Sequence, residues 1–112
     1  MTYVKYEGYD REYAKQSVGE GWASLIDEVF DMLNAMQNPP KIIQVKEKWG
    51  GLRIYDSAVY TTDIPTDFEK LIRDVEDRSF SICETCGKQG SLRKGSWMKT
   101  LCDIHAQGRE RI

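Results

Sequence analysis

Three cysteines and the chain's single histidine fall into one pattern: Cys83-x-x-Cys86-Gly87, then fifteen residues, then Cys102-x-x-His105. Thiolates and an imidazole are the donors that Zn²⁺ prefers in tetrahedral sites, and ligands two residues apart let one backbone turn supply a pair. Gly87 suits the tight turn after the second cysteine, where amides point at sulfur. A set of buried apolar cysteines and a core histidine would not need this spacing. The odd cysteine count and the absence of an export signal argue against disulfides. Cys83, Cys86, Cys102 and His105 are therefore read as ligands of one structural Zn²⁺. Four protein ligands leave no open position for substrate or activated water.

Other chemistry is poorly supplied. A histidine general base beyond the metal ligands is absent, the cysteines are used, and a serine hydrolase would lack its imidazole. The chain is expected to be a binding protein and not an enzyme. The competing reading is a phosphodiester- or nucleotide-cleaving enzyme that uses carboxylates such as Glu47 with a weakly held Mg²⁺.

The elements that must position the ligands follow from periodicity. Trp22, Leu25, Ile26, Val29, Leu33 and Met36 recur at three- and four-residue steps, which predicts an amphipathic helix over 18–37. Ser17 and Glu20 have capping-box spacing at its start, and Pro39-Pro40 ends it. Asp27, Glu28 and Asp31 lie on its polar side and read as a solvated face; a phosphate-mimicking role is the lesser alternative. Residues 41–57 predict a β-hairpin turning at Gly50-Gly51, with Glu47 opposite Ile54 and Trp49 opposite Leu52. Ile43, Val45, Trp49, Leu52 and Ile54 then form its core face, with Glu47 either a structural carboxylate, the preferred reading, or a site acid. The outer face carries Lys46, Lys48, Arg53 and Tyr55. These four are the candidate partner-binding residues, weighed against a merely solvated strand face.

After a loop with Asp63, a second helix is expected over 65–79, capped by Thr66 and Glu69 around Phe68, Leu71, Ile72 and Val75. The zinc module should span 82–108. Residues 92–101 form its hairpin, Trp97 lies as a lid over the metal, and Cys102 and His105 open a final helix over 103–111. That arrangement favours a treble clef over a zinc ribbon, whose second ligand pair would sit on another turn. The fold class is α+β: helix, hairpin, helix and an integral C-terminal treble-clef-like module. It forms one compact domain over 17–112, with residues 1–16 as a lead-in.

Composition agrees with a small globular domain. The 112 residues are 40% hydrophobic and 30% charged, with a formal net charge of −2. Residues 1–82 hold 10 Lys+Arg against 15 Asp+Glu, and residues 83–112 hold 6 against 3. That balance does not by itself identify a nucleic-acid binder, although a local basic face is allowed. No stretch approaches the roughly 18–20 apolar residues of a membrane span. A cytoplasmic location is expected, since thiols there stay reduced and free for metal.

Taken together, QVKEKWGGLRIY at 44–55, the CxxCG at 83–87 and TLCDIH at 100–105 resemble a group of small uncharacterised proteins from bacterial and phage genomes. The resemblance covers residues 20–106. It implies a prokaryotic or phage setting and brings no activity with it. Small phage proteins of this size often act in host takeover or counter-defence, so the resemblance implies a protein partner first and a nucleic acid or nucleotide second.

Overall fold

The computed structural model describes residues 8–58 and 64–112. Tyr3, Tyr6 and the loop residue Asp63 lie outside them. The elements run α1 (Arg11–Gln16), a 3-10 turn (Glu20–Trp22), α2 (Ala23–Ala35), β1 (Ile42–Lys48), β2 (Gly51–Asp56), α3 (Asp67–Ser79), β3 (Ser91–Arg93) and β4 (Lys99–Leu101). This is a small mixed helix and antiparallel-sheet fold with the Cys3His group near its C-terminal end. Among the described residues, no helix is long and apolar enough to cross a membrane.

Residues placed in the lead-in begin the fold instead. Asp10 accepts from the Tyr13 amide at 2.8 Å and starts α1. Ala14 is fully buried, and the Tyr9 amide donates to Ile42 O at 2.7 Å. Arg11 reaches Asp27 and Asp31 at 2.8 and 2.9 Å, and Lys15 reaches Asp27 at 2.8 Å. Glu28 takes Arg78 at 2.7 Å. The acidic face of α2, expected to be solvated, is therefore neutralised from within the molecule. The two cations hold the Asp27 carboxyl below its ordinary value, Lys15 most strongly and then Arg11.

The first long helix starts later than its pattern predicts. Ser17 ends α1, its hydroxyl donating to Tyr13 O, so the Ser17–Glu20 capping box does not form. A 3-10 turn replaces the first helical turn, and Gly19 caps it without a side-chain bond. From Ala23 the expected stripe appears: Leu25, Ile26, Val29, Phe30 and Leu33 are buried. Met36 then turns extended, three residues ahead of Pro39, and the helix ends before the prolines.

The hairpin forms, with a different register. Glu47 faces Leu52, Val45 faces Ile54, and the turn is Trp49-Gly50. Both turn residues have positive φ, 56° and 84°, as a type I′ turn requires. Gly51 is held inside β2 because a side chain there would run into the Phe80 ring, 2.3 Å from the nearest ring atom. Sliding the pairs by two residues keeps Val45, Glu47, Leu52 and Ile54 on one face and Lys46, Arg53 and Tyr55 on the other, since the strand period is two. Trp49 leaves the core face altogether and is exposed. A bulge between Ile42 and Gln44 buries Ile42 in place of the expected Ile43.

Helix α3 closes the free edge of β2. Its capping box is complete: Thr66 accepts from the Glu69 amide, and Glu69 accepts from the Thr66 amide, both at 3.1 Å. Phe68, Ile72 and Val75 bury against the hairpin and α2. Ser79 accepts from the Leu52 amide and Glu76 from the Ile54 amide, each at 2.9 Å. These amides point away from β1, and leaving a buried one unpaired costs about 1–3 kcal/mol. Burial raises the Glu76 carboxyl, against the opposing pull of the Ile54 amide and Arg53.

Candidate metal centre

Each ligand pair sits on its own turn. In the first, the Gly87 amide returns to Cys83 O at 2.9 Å and the Cys83 amide donates to Lys88 O at 2.7 Å. Gly87 takes φ 81°, which glycine adopts without penalty. The second turn, after β4, closes with the His105 amide on Cys102 O at 3.2 Å. Strands β3 and β4 join the two as an antiparallel hairpin, Leu92 opposite Thr100. The helix expected over 103–111 does not form. Those residues make successive turns, and the tail extends along β3, with the Ile112 amide on Leu92 O and the Lys94 amide on Glu110 O. The second pair thus lies on a turn, as the first does.

The four donor atoms lie within 4.8 Å of one another. Cys86 Sγ and Cys102 Sγ are 3.7 Å apart; His105 Nδ1 is 3.2 Å from Cys102 Sγ and 3.8 Å from Cys83 Sγ. A tetrahedron with Zn–S of about 2.3 Å and Zn–N of about 2.0–2.1 Å has edges of about 3.8 Å between sulfurs and 3.6 Å between sulfur and nitrogen. Three cysteines and one histidine in this arrangement could hold a metal ion, and they are compatible with zinc. Cys83 and Cys102 are buried, whereas Cys86 is exposed. Burial pushes the Cys83 thiol up, but the amides of Cys102, Cys86 and Thr85 outweigh it and bring the thiol down to about 6. Amides aimed at sulfur favour the thiolate that a metal needs.

The second turn is braced by Arg93, a buried cation each of whose three guanidinium nitrogens donates a hydrogen bond. It donates to Leu101 O at 3.1 Å, Arg109 O at 3.4 Å and the Asp103 carboxylate at 2.8 Å. Asp103 stands between the two ligands in the chain, so this contact ties their turn to β3.

The first turn is fixed by the 3-10 turn that leads into α2, a contact missed in the sequence. The Gly21 amide donates to Glu84 O at 2.8 Å, and the Trp22 indole N–H donates to Ile82 O at 2.9 Å. A Cβ on Gly21 would lie 1.9 Å from Cys83 O, so only glycine allows the two backbones to approach. The glycine pair in Gly19-Glu-Gly21-Trp22 was the available signal for a close backbone approach.

The module also clasps the first hairpin. Thr100 Oγ1 donates to Gly50 O at 2.7 Å in a buried bond. The Trp97 indole N–H donates to both carboxylate oxygens of Glu47, at 2.6 and 2.8 Å. Trp97, expected as a lid over the metal, is exposed and stacks on Trp49. Of the candidate partner-binding residues, Lys46 lies over the Tyr55 ring at 5.6 Å and Arg53 stands 3.9 Å from Glu76. Lys48 is exposed at the mouth of the turn.

No protein-family model, curated protein or solved structure matches this chain.

Proposed function

We propose that this chain is a zinc-stabilised binding protein without catalytic activity, in which Cys83, Cys86, Cys102 and His105 hold one structural Zn²⁺. The observation that supports it is the set of four donors within 4.8 Å of one another, with one ligand turn hydrogen-bonded to the 3-10 turn ahead of α2 and the other to Arg93. A saturated donor set suits structure, since catalysis by zinc needs an open position. Glu47, the carboxylate considered for Mg²⁺-dependent cleavage, is engaged by Trp97 through both oxygens, which favours the structural role for it. The face of Lys46, Lys48, Arg53 and Tyr55 is the contact surface in this reading. The bacterial or phage setting, and host takeover or counter-defence by binding a protein, belong to the reading through the sequence resemblance alone.

Elemental analysis of the purified protein should find about one zinc per chain, because metal-binding energy is folding energy in a module of this size. Cys86→Ser, at the exposed ligand, should lose metal and lower the unfolding midpoint. A chain that stays folded through chelation, with no stoichiometric metal, refutes the proposal.

A further inference from the structure

Two indole rings from different hairpins lie side by side on the surface. Trp49, in the β1–β2 turn, and Trp97, in the β3–β4 loop, have ring centroids 6.4 Å apart and planes within 8° of parallel. They are 59% and 55% exposed, so most of each ring is offered to solvent. Both are pinned. Trp97 is held at its indole N–H by Glu47 and at its carbonyl by Arg109. Trp49 is held in the left-handed region, at φ 56°, where asparagine, aspartate or glycine is the usual occupant. A tryptophan kept in a disfavoured backbone conformation while its ring faces water is the kind of local cost that clusters at functional sites.

The surroundings supply charge. Lys48 precedes Trp49 and has no ion-pair partner among the described residues. Lys46 and Arg53 face each other one row further along the same outer face, and Tyr55 follows. At about 3.3 Å per residue, the path from Lys48 back to the Tyr55 row is roughly 13 Å. The outward residues Gln44, Lys46, Lys48, Arg53 and Tyr55 include no carboxylate; Glu76 stands 3.9 Å from Arg53, and Glu47, from the opposite face of β1, holds the Trp97 indole N–H at 2.6 and 2.8 Å. Two exposed indole faces at the tip of the hairpin, with Lys48 next to Trp49 in the chain and Lys46 and Arg53 further along the outer face, match a strand whose bases are free to stack and whose phosphates need neutralising. A duplex hides its bases and would use the cations alone.

We propose that the Trp49–Trp97 pair, with Lys48, Lys46, Arg53 and Tyr55, is a binding strip for single-stranded nucleic acid. This rests on the reading of the chain as a zinc-stabilised binding module and replaces the protein partner implied by the sequence resemblance. The strip depends on the metal, because Trp97 is carried by the loop between the two ligand pairs.

The test uses the full-length, zinc-loaded protein and a labelled thymidine oligonucleotide of about twelve nucleotides, within the usual range of such sites. Anisotropy should report binding, with quenching of tryptophan emission as bases stack. W49A should weaken binding about ten-fold or more. K48E should weaken it and flatten its salt dependence, with the unfolding midpoint unchanged. If W49A does not fold, K48E and the quench still decide. Absence of binding or of quenching, equal affinity for a duplex of the same length, or capture of an oligo-glutamate peptide in preference to the oligonucleotide each overturns the proposal. Zinc content and unfolding midpoint measured on the same sample keep such a failure distinct from failure of the metal reading.

Discussion

Gly21→Ala should uncouple α2 from the first ligand turn. The added Cβ would lie 1.9 Å from Cys83 O, 2.6 Å from Gly87 N and 2.7 Å from Glu84 C, all of them backbone atoms that cannot swing aside. Inserting one carbon into a packed site costs about 1–3 kcal/mol where the neighbours can shift. Here the retreat would also stretch the Gly21–Glu84 and Trp22–Ile82 hydrogen bonds, each worth about 1 kcal/mol net. The expected loss is about 3–5 kcal/mol, a large fraction of a typical domain's stability of about 5–15 kcal/mol. If about half of it falls on the ligand turn, zinc affinity drops about ten- to sixty-fold. Gly108→Ala is the matched control: φ there is 83° and nothing lies within 4 Å, so only the backbone cost of about 1 kcal/mol applies. Urea unfolding of the zinc-loaded proteins, with competition against a chromophoric chelator, measures both quantities. If Gly21→Ala costs no more than Gly108→Ala and zinc affinity is unchanged, the docking argument is wrong.

Ser79→Ala should strand the Leu52 amide at the edge of β2, lowering stability by about 1–3 kcal/mol. Hydrogen exchange at Leu52 should quicken more than at Val45 in β1, and an unchanged midpoint would remove the edge-closing role of α3. Glu76 carries a pH signature. Burial raises its carboxyl above the ordinary 4.5, so the folded state binds that proton more readily than the unfolded chain. Its contribution is most favourable below 4.5 and is lost as pH rises through the raised folded value. Glu76→Gln should therefore flatten the fall in stability over that window, and comparison with the parent cancels the metal ligands' own titration. Identical slopes for the two proteins would contradict the burial argument.

The clustering of the three cysteines and the histidine was legible because such donors are scarce and their spacing encodes the turn. Helix α3 was equally open, since Thr66 and Glu69 form the capping box that their spacing suggests. Helix α1 was hidden because only Ala14 in it is buried, and the helix is held by ion pairs to Asp27 and Asp31, residues 16 and 20 positions away. The hairpin's existence followed from its β-rich runs, but its register did not. Gly50-Gly51 looked like the turn, and only the Phe80 ring from the end of α3 shows why Gly51 belongs in the strand. The final helix failed for a related reason. A two-residue ligand spacing fits a helix or a tight turn equally well, and pairing of the tail with β3 selects the turn.

The contact between Trp22 and Ile82, separated by 60 residues, imposes an order on assembly. Helices and the first hairpin close over short loops, whereas in the zinc-stabilised reading this joint would wait for the ligand turns, which need His105 to complete the donor set. Until then Trp22, fully buried in the finished protein, has no cover on that side. A chain starved of zinc would expose the base of α2 as an apolar slot, and such surfaces drive aggregation of incomplete folds at micromolar concentrations. Yield in a cell would then follow metal supply more closely than the rate of synthesis, and a shortage would register first as chaperone-bound or precipitated chains.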